Sequence, residues 1–169
     1  RLLLDGGLIE LSLIPAIEQV GLFTVSKSRG RQRLVVDARR SNCAFTTPPS
    51  TQLPTGAAFA RIRVPHDTSA FISQLDLSDA FYHLELPHML RPFFALPCVT
   101  AGEMGIKYLD GQLLSGQCQL TPRFKVCPMG WSHALHLCQC VLEATVARAL
   151  RQPASTFLSD TRPVAPLSD

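Results

Sequence analysis

The chain has 169 residues, room for one domain, or one and a fragment, at roughly 100–200 residues per domain. Hydrophobic residues make up 46% of it, which excludes a disordered chain, and a chain of this length can build a core without disulfides. With 17% charged residues, 13 prolines and a net charge of +3, the composition suits a loop-rich domain or a piece of something larger, and it singles out no partner.

In chain order, residues 2–10 read as the end of a helix stopped by Gly6 and Gly7, then a short extended piece. Residues 22–26 and 32–38 carry β-favouring side chains around the turn signal Ser28-Arg29-Gly30, so a β-hairpin is expected. Six of the 16 Lys/Arg fall on its tip and second strand: Lys27, Arg29, Arg31, Arg33, Arg39 and Arg40, with Asp37 the only acid among them. Such a cluster is either an anion-binding surface or a solvated basic hairpin. Residues 43–56 form a Thr/Pro/Ser-rich connection.

Residues 70–77 read as a buried strand ending in an acid. Residues 81–96 read as a turn and another extended piece, interrupted by Pro87 and Pro92. Residues 100–122 are weakly patterned and suit a hairpin or insertion. From Trp131, apolar residues recur with a 3.6-residue period to Leu150, predicting a helix with Ser132 as N-cap and Pro153 beyond its end. Residues 152–169 are Pro/Ser-rich and read as loose. The order of elements points to an α+β fold.

The six cysteines, at 43, 98, 118, 127, 138 and 140, have no framework spacing, so reduced thiols are expected. No apolar run reaches the roughly 18 residues of a membrane span. From absent targeting signals alone, an intracellular protein of cytoplasm or nucleus is expected, with no membrane partner. His133, His136 and Cys140 share helical spacing, but Cys138 falls on the apolar stripe. Core cysteines with surface histidines are expected rather than a zinc site.

Three stretches carry chemistry. In Leu75-Asp76-Leu77-Ser78-Asp79-Ala80-Phe81, an aspartate closing an apolar strand needs compensation. Mg²⁺, which takes carboxylate and carbonyl oxygens, would supply it; a capping role in a following turn would also account for the acids. In Cys127-Pro128-Met129-Gly130-Trp131, Gly130 permits close backbone approach at a helix start. On the hairpin, Lys27 and Arg33 could face one anion, Lys as a point charge and Arg through two hydrogen bonds.

In this order and spacing, the stretches resemble the fingers and palm of a retroelement reverse transcriptase. Leu34-Val35-Val36-Asp37-Ala38-Arg39-Arg40-Ser41-Asn42 is similar to the family's fingers motif R-x-x-V-D-x-R-x-L-N. Leu75 to Tyr82 is similar to its first catalytic motif L-D-L-x-D-A-F-F, and Pro128-Met129-Gly130-Trp131 with Gln139 to P-Q-G-W…Q. Gly7-Leu8-Ile9-Glu10 matches the segment before the fingers, so the resemblance covers residues 3–150.

The resemblance implies an RNA-directed DNA polymerase fold: α+β, right-hand fingers plus a partial palm with a ferredoxin-like antiparallel sheet, truncated. Fingers with the basic hairpin would occupy 1–66, partial palm 67–151, and a loop or insertion 152–169. It implies an enzyme that adds deoxynucleotides to a primer on an RNA or DNA template, with two Mg²⁺ ions. Asp76 would be the catalytic carboxylate bridging both metals, and Leu77 would add a backbone carbonyl. Asp79 and Ala80 would offer N–H groups to the triphosphate. Phe81 would exclude a 2′-hydroxyl, the group that distinguishes ribose from deoxyribose. Lys27 and Arg33 would grip phosphates, and Met129 and Gly130 would line the nucleotide pocket.

The chain departs from the pattern in places. Met129 stands where the family has Gln, Ala38 where it has an aromatic, and Ser41 where it has Leu. The stretch 99–122 is long. The second acidic motif, aromatic-x-Asp-Asp, is not visible; Phe157-Leu158-Ser159-Asp160 comes nearest, but Thr161 and Pro163 follow. The motif is therefore expected beyond residue 169, in the remainder of a larger polyprotein, and this piece alone is expected to be inactive. A decayed polymerase-like module that only binds nucleic acid, or an unrelated α+β interaction domain, are the alternative readings.

Overall fold

The computed structural model describes residues 1–67, 69–162 and 164. The chain forms two compact units, each assembled from two separate stretches. The first takes Arg1–Thr47 and Asp79–Ala134; the second takes Pro48–Ser78 and the described residues from Leu135 onward.

In the first unit, α1 (Leu2–Asp5) stops at Gly6, and Gly7 turns the chain with φ +71° into β1 (Ile9–Ser12), as expected. The predicted hairpin is formed by β2 (Gly21–Ser26) and β3 (Gln32–Asp37), paired from Gly21↔Asp37 to Ser26↔Gln32. Its tip is a short 3-10 turn, Ser28–Gly30, closed by Gly30 at φ +69°. The pleat sends Val36 into the core, so Arg33, Val35 and Asp37 share the opposite face. A short helix, α2 (Arg39–Asn42), follows directly.

Further along lie β4 (Val99–Thr100), α4 (Ala101–Met104), β5 (Tyr108–Leu109), β6 (Gln112–Leu113) and β7 (Gln119–Phe124); α3 (Gly56–Phe59), which precedes them in sequence, belongs to the second unit. Thr100 and Glu103 form a capping box on α4. β5 and β6 make a hairpin through Asp110-Gly111, both at positive φ. β7 is the centre of an antiparallel sheet of order β1-β7-β4, with Ile9↔Phe124 at one end of its pairing to β1 and Val99↔Leu120 on its other edge. Pro122 made this strand hard to expect. It is tolerated because the β4 ladder reaches only Gln119 and Leu120 and needs no donor from Pro122, whose carbonyl instead accepts from the Leu96 amide at 2.7 Å.

The core gathers Val20, Val36, Leu86, Phe94, Phe124, Cys127 and Trp131. Phe94 and Phe124 are wholly buried, each contributing roughly 1.5–3 kcal/mol of apolar burial. Beside them lies a buried ion cluster. Glu10 accepts from Arg91 and, at 2.7 Å, from Arg123, while Arg91 also donates to Glu85 at 2.7 Å and to the Leu86 carbonyl at 2.9 Å.

Several expectations are corrected here. In residues 81–96 the expected turn is the 3-10 turn Ala80–His83, but the extended piece is short, bridging Glu85 to Val126, and a second 3-10 turn over His88–Phe94 follows, holding Pro92, whose fixed φ suits a tight turn. Residues 70–77 form no strand and are not buried; Phe71, Ile72 and Leu75 are each more than nine-tenths exposed. A doubly buried strand needs neighbours, and no described strand pairs with this segment.

The second unit contains α3 (Gly56–Phe59), capped by the Thr55 hydroxyl, and α5 (Ala134–Leu150), which begins at the last residue of the first unit. Helix α5 starts two residues after Ser132, whose hydroxyl contacts His133 instead of capping. Much of its predicted apolar stripe is uncovered, with Leu135, Val141, Leu142 and Leu150 exposed. Residues 152–162 are not loose. Thr55 donates from its amide and hydroxyl to the Asp160 carboxylate at 3.0 and 2.9 Å, and Arg61 donates to the carbonyls of Ser159 and Arg162. Those two Thr55 bonds, amide first, pull the Asp160 carboxyl below the usual range. Residues 163 and 165–169, read above as part of a loop or insertion, lie outside the described residues.

All six cysteines are thiols. Cys140 is exposed and lies 3.5 Å from His136 Nε2, and Cys138 is only half-buried, so the expected core cysteines are not found on α5. His133 is not a free surface histidine, since it stacks on Trp131 with ring centroids 5.2 Å apart.

Candidate active site

The first unit holds most of the residues singled out from the sequence. Lys27 follows β2 and opens the hairpin turn, its amide donating to the Arg31 carbonyl at 2.8 Å. Arg33 stands opposite Val25 in the ladder. Among the described residues Lys27, Arg31 and Arg33 are exposed and make no ion pair. The other cluster members behave differently: Arg39 pairs with Asp37 at 2.6 Å and Arg40 with Glu18 at 3.3 Å. Of the five cluster side chains described, three are available to an anion at the tip and two are already neutralised at the base. A hollow of ≈ 380 Å³ at that base is lined by Gln19, Gly21, Asp37, Arg39, Arg40 and Cys43, and so carries both signs of charge.

Hydrogen bonds from the Arg39 side chain, then from its amide, lower the Asp37 carboxyl from its usual 3.8 to about 2. Because the folded value is depressed, this stabilisation is complete above the unfolded value and is lost as pH falls through about 2. Unfolding measured from pH 5 to pH 2 should therefore show a steeper acid loss for the wild type than for Asp37→Asn. Equal slopes would remove Asp37 from the acid response.

Asp79 adopts a left-handed conformation, φ 54°, at the start of the Ala80–His83 turn. Its carbonyl accepts from Tyr82 at 2.8 Å, while its own amide and that of Ala80 have no acceptor among the described residues. Phe81 is half-buried against the main core. Burial, then the Asp79 charge, raises the Tyr82 hydroxyl above its ordinary value.

The Pro128–Ser132 loop is seated on the end of β3. Gly130 has φ +136°, and a Cβ placed there would lie 2.2 Å from the Val36 carbonyl oxygen and 3.8 Å from Ala38 Cβ. A small residue at position 38 accompanies that approach. Met129 beside it is half-buried. The Asn42 amide donates to the Gly130 carbonyl at 3.0 Å and accepts from the Ser132 amide at 2.9 Å. Asn42 closes the fingers-like motif, but its bridging role has no local signal, since its partners are 88 and 90 residues away.

Asp76 and Leu77 are not in that unit. They lie in the second, on the exposed irregular segment 71–77. No three His, Cys, Asp or Glu side chains are grouped to hold a metal among the described residues. One carboxylate and one carbonyl are a partial set for Mg²⁺, which demands octahedral coordination. Asp160, nearest to the second acidic motif in the sequence, is engaged by Thr55.

Residues 25–160 match the profile of a family described as reverse transcriptase (RNA-dependent DNA polymerase). The match covers most of the chain, which therefore belongs to the reverse transcriptase family. Among individual relatives, the Gag-Pro-Pol polyprotein of Human T-cell leukemia virus 2 is 33% identical over 89 residues, covering 46% of this chain and 5% of that protein. The mixed helix and sheet fold is similar to that of a foamy viral protease-reverse transcriptase solved with double-stranded DNA, with a TM-score of 0.52 at 16% identity over 88% of this chain and 21% of that one. The chain thus spans about a twentieth of the polyprotein and a fifth of the foamy viral chain. No helix among the described residues is long and apolar enough to cross a membrane.

Proposed function

We propose that this chain is the fingers and part of the palm of a reverse transcriptase, and that it receives the incoming deoxynucleoside triphosphate over a primer–template. The observation that carries this reading is the seating of the Met129–Gly130 loop on β3, the strand that also bears Arg33. Two motifs widely separated in sequence are thereby built into one unit. In this reading the exposed tip cations Lys27 and Arg33 take the phosphates, with Arg33 bidentate and Lys27 a point charge. The unpaired amides of Asp79 and Ala80 add donors to the triphosphate. Phe81, held from behind by the core, stands against a ribose 2′-hydroxyl.

Asp76, with the Leu77 carbonyl, is the place for magnesium, and the complete enzyme would use two ions for phosphoryl transfer. The described residues do not fit that pair of ions, because they group one carboxylate where several are needed. No catalytic step is assigned to this chain alone, and primer extension by it is expected to be absent. A decayed module that only binds nucleic acid shares this expectation. A longer chain of the same protein separates the two readings by extending a primer or failing to.

The direct test is titration of the chain with a primer–template duplex at several salt concentrations. Affinity should fall steeply with salt, by about 0.7–0.9 in log–log slope per phosphate neutralised. For a deoxynucleoside triphosphate titrated in the same way, Lys27→Ala and Arg33→Ala should each reduce the salt slope by about 1, while Asp76→Ala leaves the duplex slope unchanged. Salt-independent binding, or primer extension that Asp76→Ala abolishes, would overturn the corresponding part of the proposal.

A further inference from the structure

We infer that Asn42 is a positioning residue whose side-chain amide sets the Pro128–Ser132 loop, and with it Met129 and Gly130, for the incoming nucleotide; this rests on the function proposed above. The amide uses both of its ends. Nδ2 donates to the Gly130 carbonyl at 3.0 Å and Oδ1 accepts from the Ser132 amide at 2.9 Å, so the two bonds straddle Trp131. Asn42 is itself held. Its own amide donates to the Ala38 carbonyl at 2.8 Å, and the neighbouring Ser41, fully buried, donates to the Phe93 carbonyl at 2.6 Å.

Few side chains meet this requirement. Asp is the same size but lacks the donor, Ser offers one short hydroxyl, and Gln is a methylene longer. The loop also has little freedom to find another seat. Gly130 lies where a Cβ would meet the Val36 carbonyl, so a displacement that opens the amide bonds also separates Gly130 from β3. Asn42 therefore acts on the pocket through the loop, with no contact to the nucleotide required.

The test combines amide hydrogen exchange with equilibrium binding of a deoxynucleoside triphosphate, both on the full chain. Asn42→Ala removes both bonds, and Ser132 exchange should become about tenfold faster or more. Asn42→Asp keeps the acceptor for Ser132, which should stay slow, while its carboxylate opposes the Gly130 carbonyl. Both variants should bind the triphosphate roughly tenfold more weakly, the worth of one good hydrogen bond. Ser41→Ala, which loosens the same helix without touching the loop, should lower stability and leave triphosphate affinity unchanged.

Wild-type affinity in both Asn42 variants, or an equal loss in Ser41→Ala, overturns the positioning role while leaving the proposed function standing. A wild-type chain that binds no triphosphate overturns the proposed function itself, and the positioning role falls with it.

Discussion

Gly130→Ala is expected to destabilise the first unit by about 3–5 kcal/mol. Two costs combine. The new Cβ would sit 2.2 Å from the Val36 carbonyl oxygen, a backbone atom of β3 that cannot swing aside as a side-chain tip could. The φ of +136° is also strained for any residue with a Cβ. Trp131, the only tryptophan in the chain, adjoins the substitution and packs 5.4 Å from Phe94, so its emission reports unfolding in urea directly. Gly30→Ala is the comparison. It has positive φ but open space around it, and should cost about 1–2 kcal/mol from backbone strain alone. Equal losses in the two variants would mean that the close approach to β3 contributes nothing.

Glu10→Ala should cost about 2–4 kcal/mol, the second large effect. Arg91 and Arg123 are both almost wholly buried, and Glu10 is the carboxylate they share. Its removal leaves two guanidinium groups short of a partner in a low-dielectric setting, where breaking a pair costs far more than the intact pair is worth. Glu85, the other partner of Arg91, is 73% exposed, and Glu85→Ala should cost under about 1 kcal/mol. Urea unfolding of the two variants at low and high salt is the measurement. A Glu10→Ala loss as small as that of Glu85→Ala would show that water reaches the cluster.

How far the sequence revealed the molecule depended on how local each cause was. The β2–β3 hairpin could be read because β-favouring runs flank a turn containing Gly30. The stop of α1 at Gly6-Gly7 was visible for the same reason. β7 was hidden by Pro122 and by Thr121 and Arg123, polar residues whose burial is decided by β1 and by Glu10, more than a hundred residues earlier. The segment 70–77 failed the other way. Its apolar residues satisfy the pattern of a buried strand, yet burial belongs to the neighbours, and no described strand supplies them.

The site divides likewise. Lys27 and Arg33 announce themselves by charge. That Arg39 and Arg40 are spent on Asp37 and Glu18 required the fold. The motifs around Asp76 and Gly130 were legible through resemblance. The Asn42 amide was not, because nothing local distinguishes a bridging asparagine from a turn residue.

The discontinuous first unit has a consequence for synthesis. The ladder that joins Ile9 to Phe124 closes a loop of more than a hundred residues, while β2 and β3 need only their own few. As the chain leaves the ribosome, the basic hairpin can form early, but β1 has no partner until β7 emerges. Pairing across so long a separation is slow, because the entropy of closure is lost before any contact repays it. Ile9 and Leu11, buried at the end, spend that interval uncovered. Within this stretch the segment most open to misassociation during synthesis is therefore β1, which is made well before β7 and stays unpaired until β7 emerges.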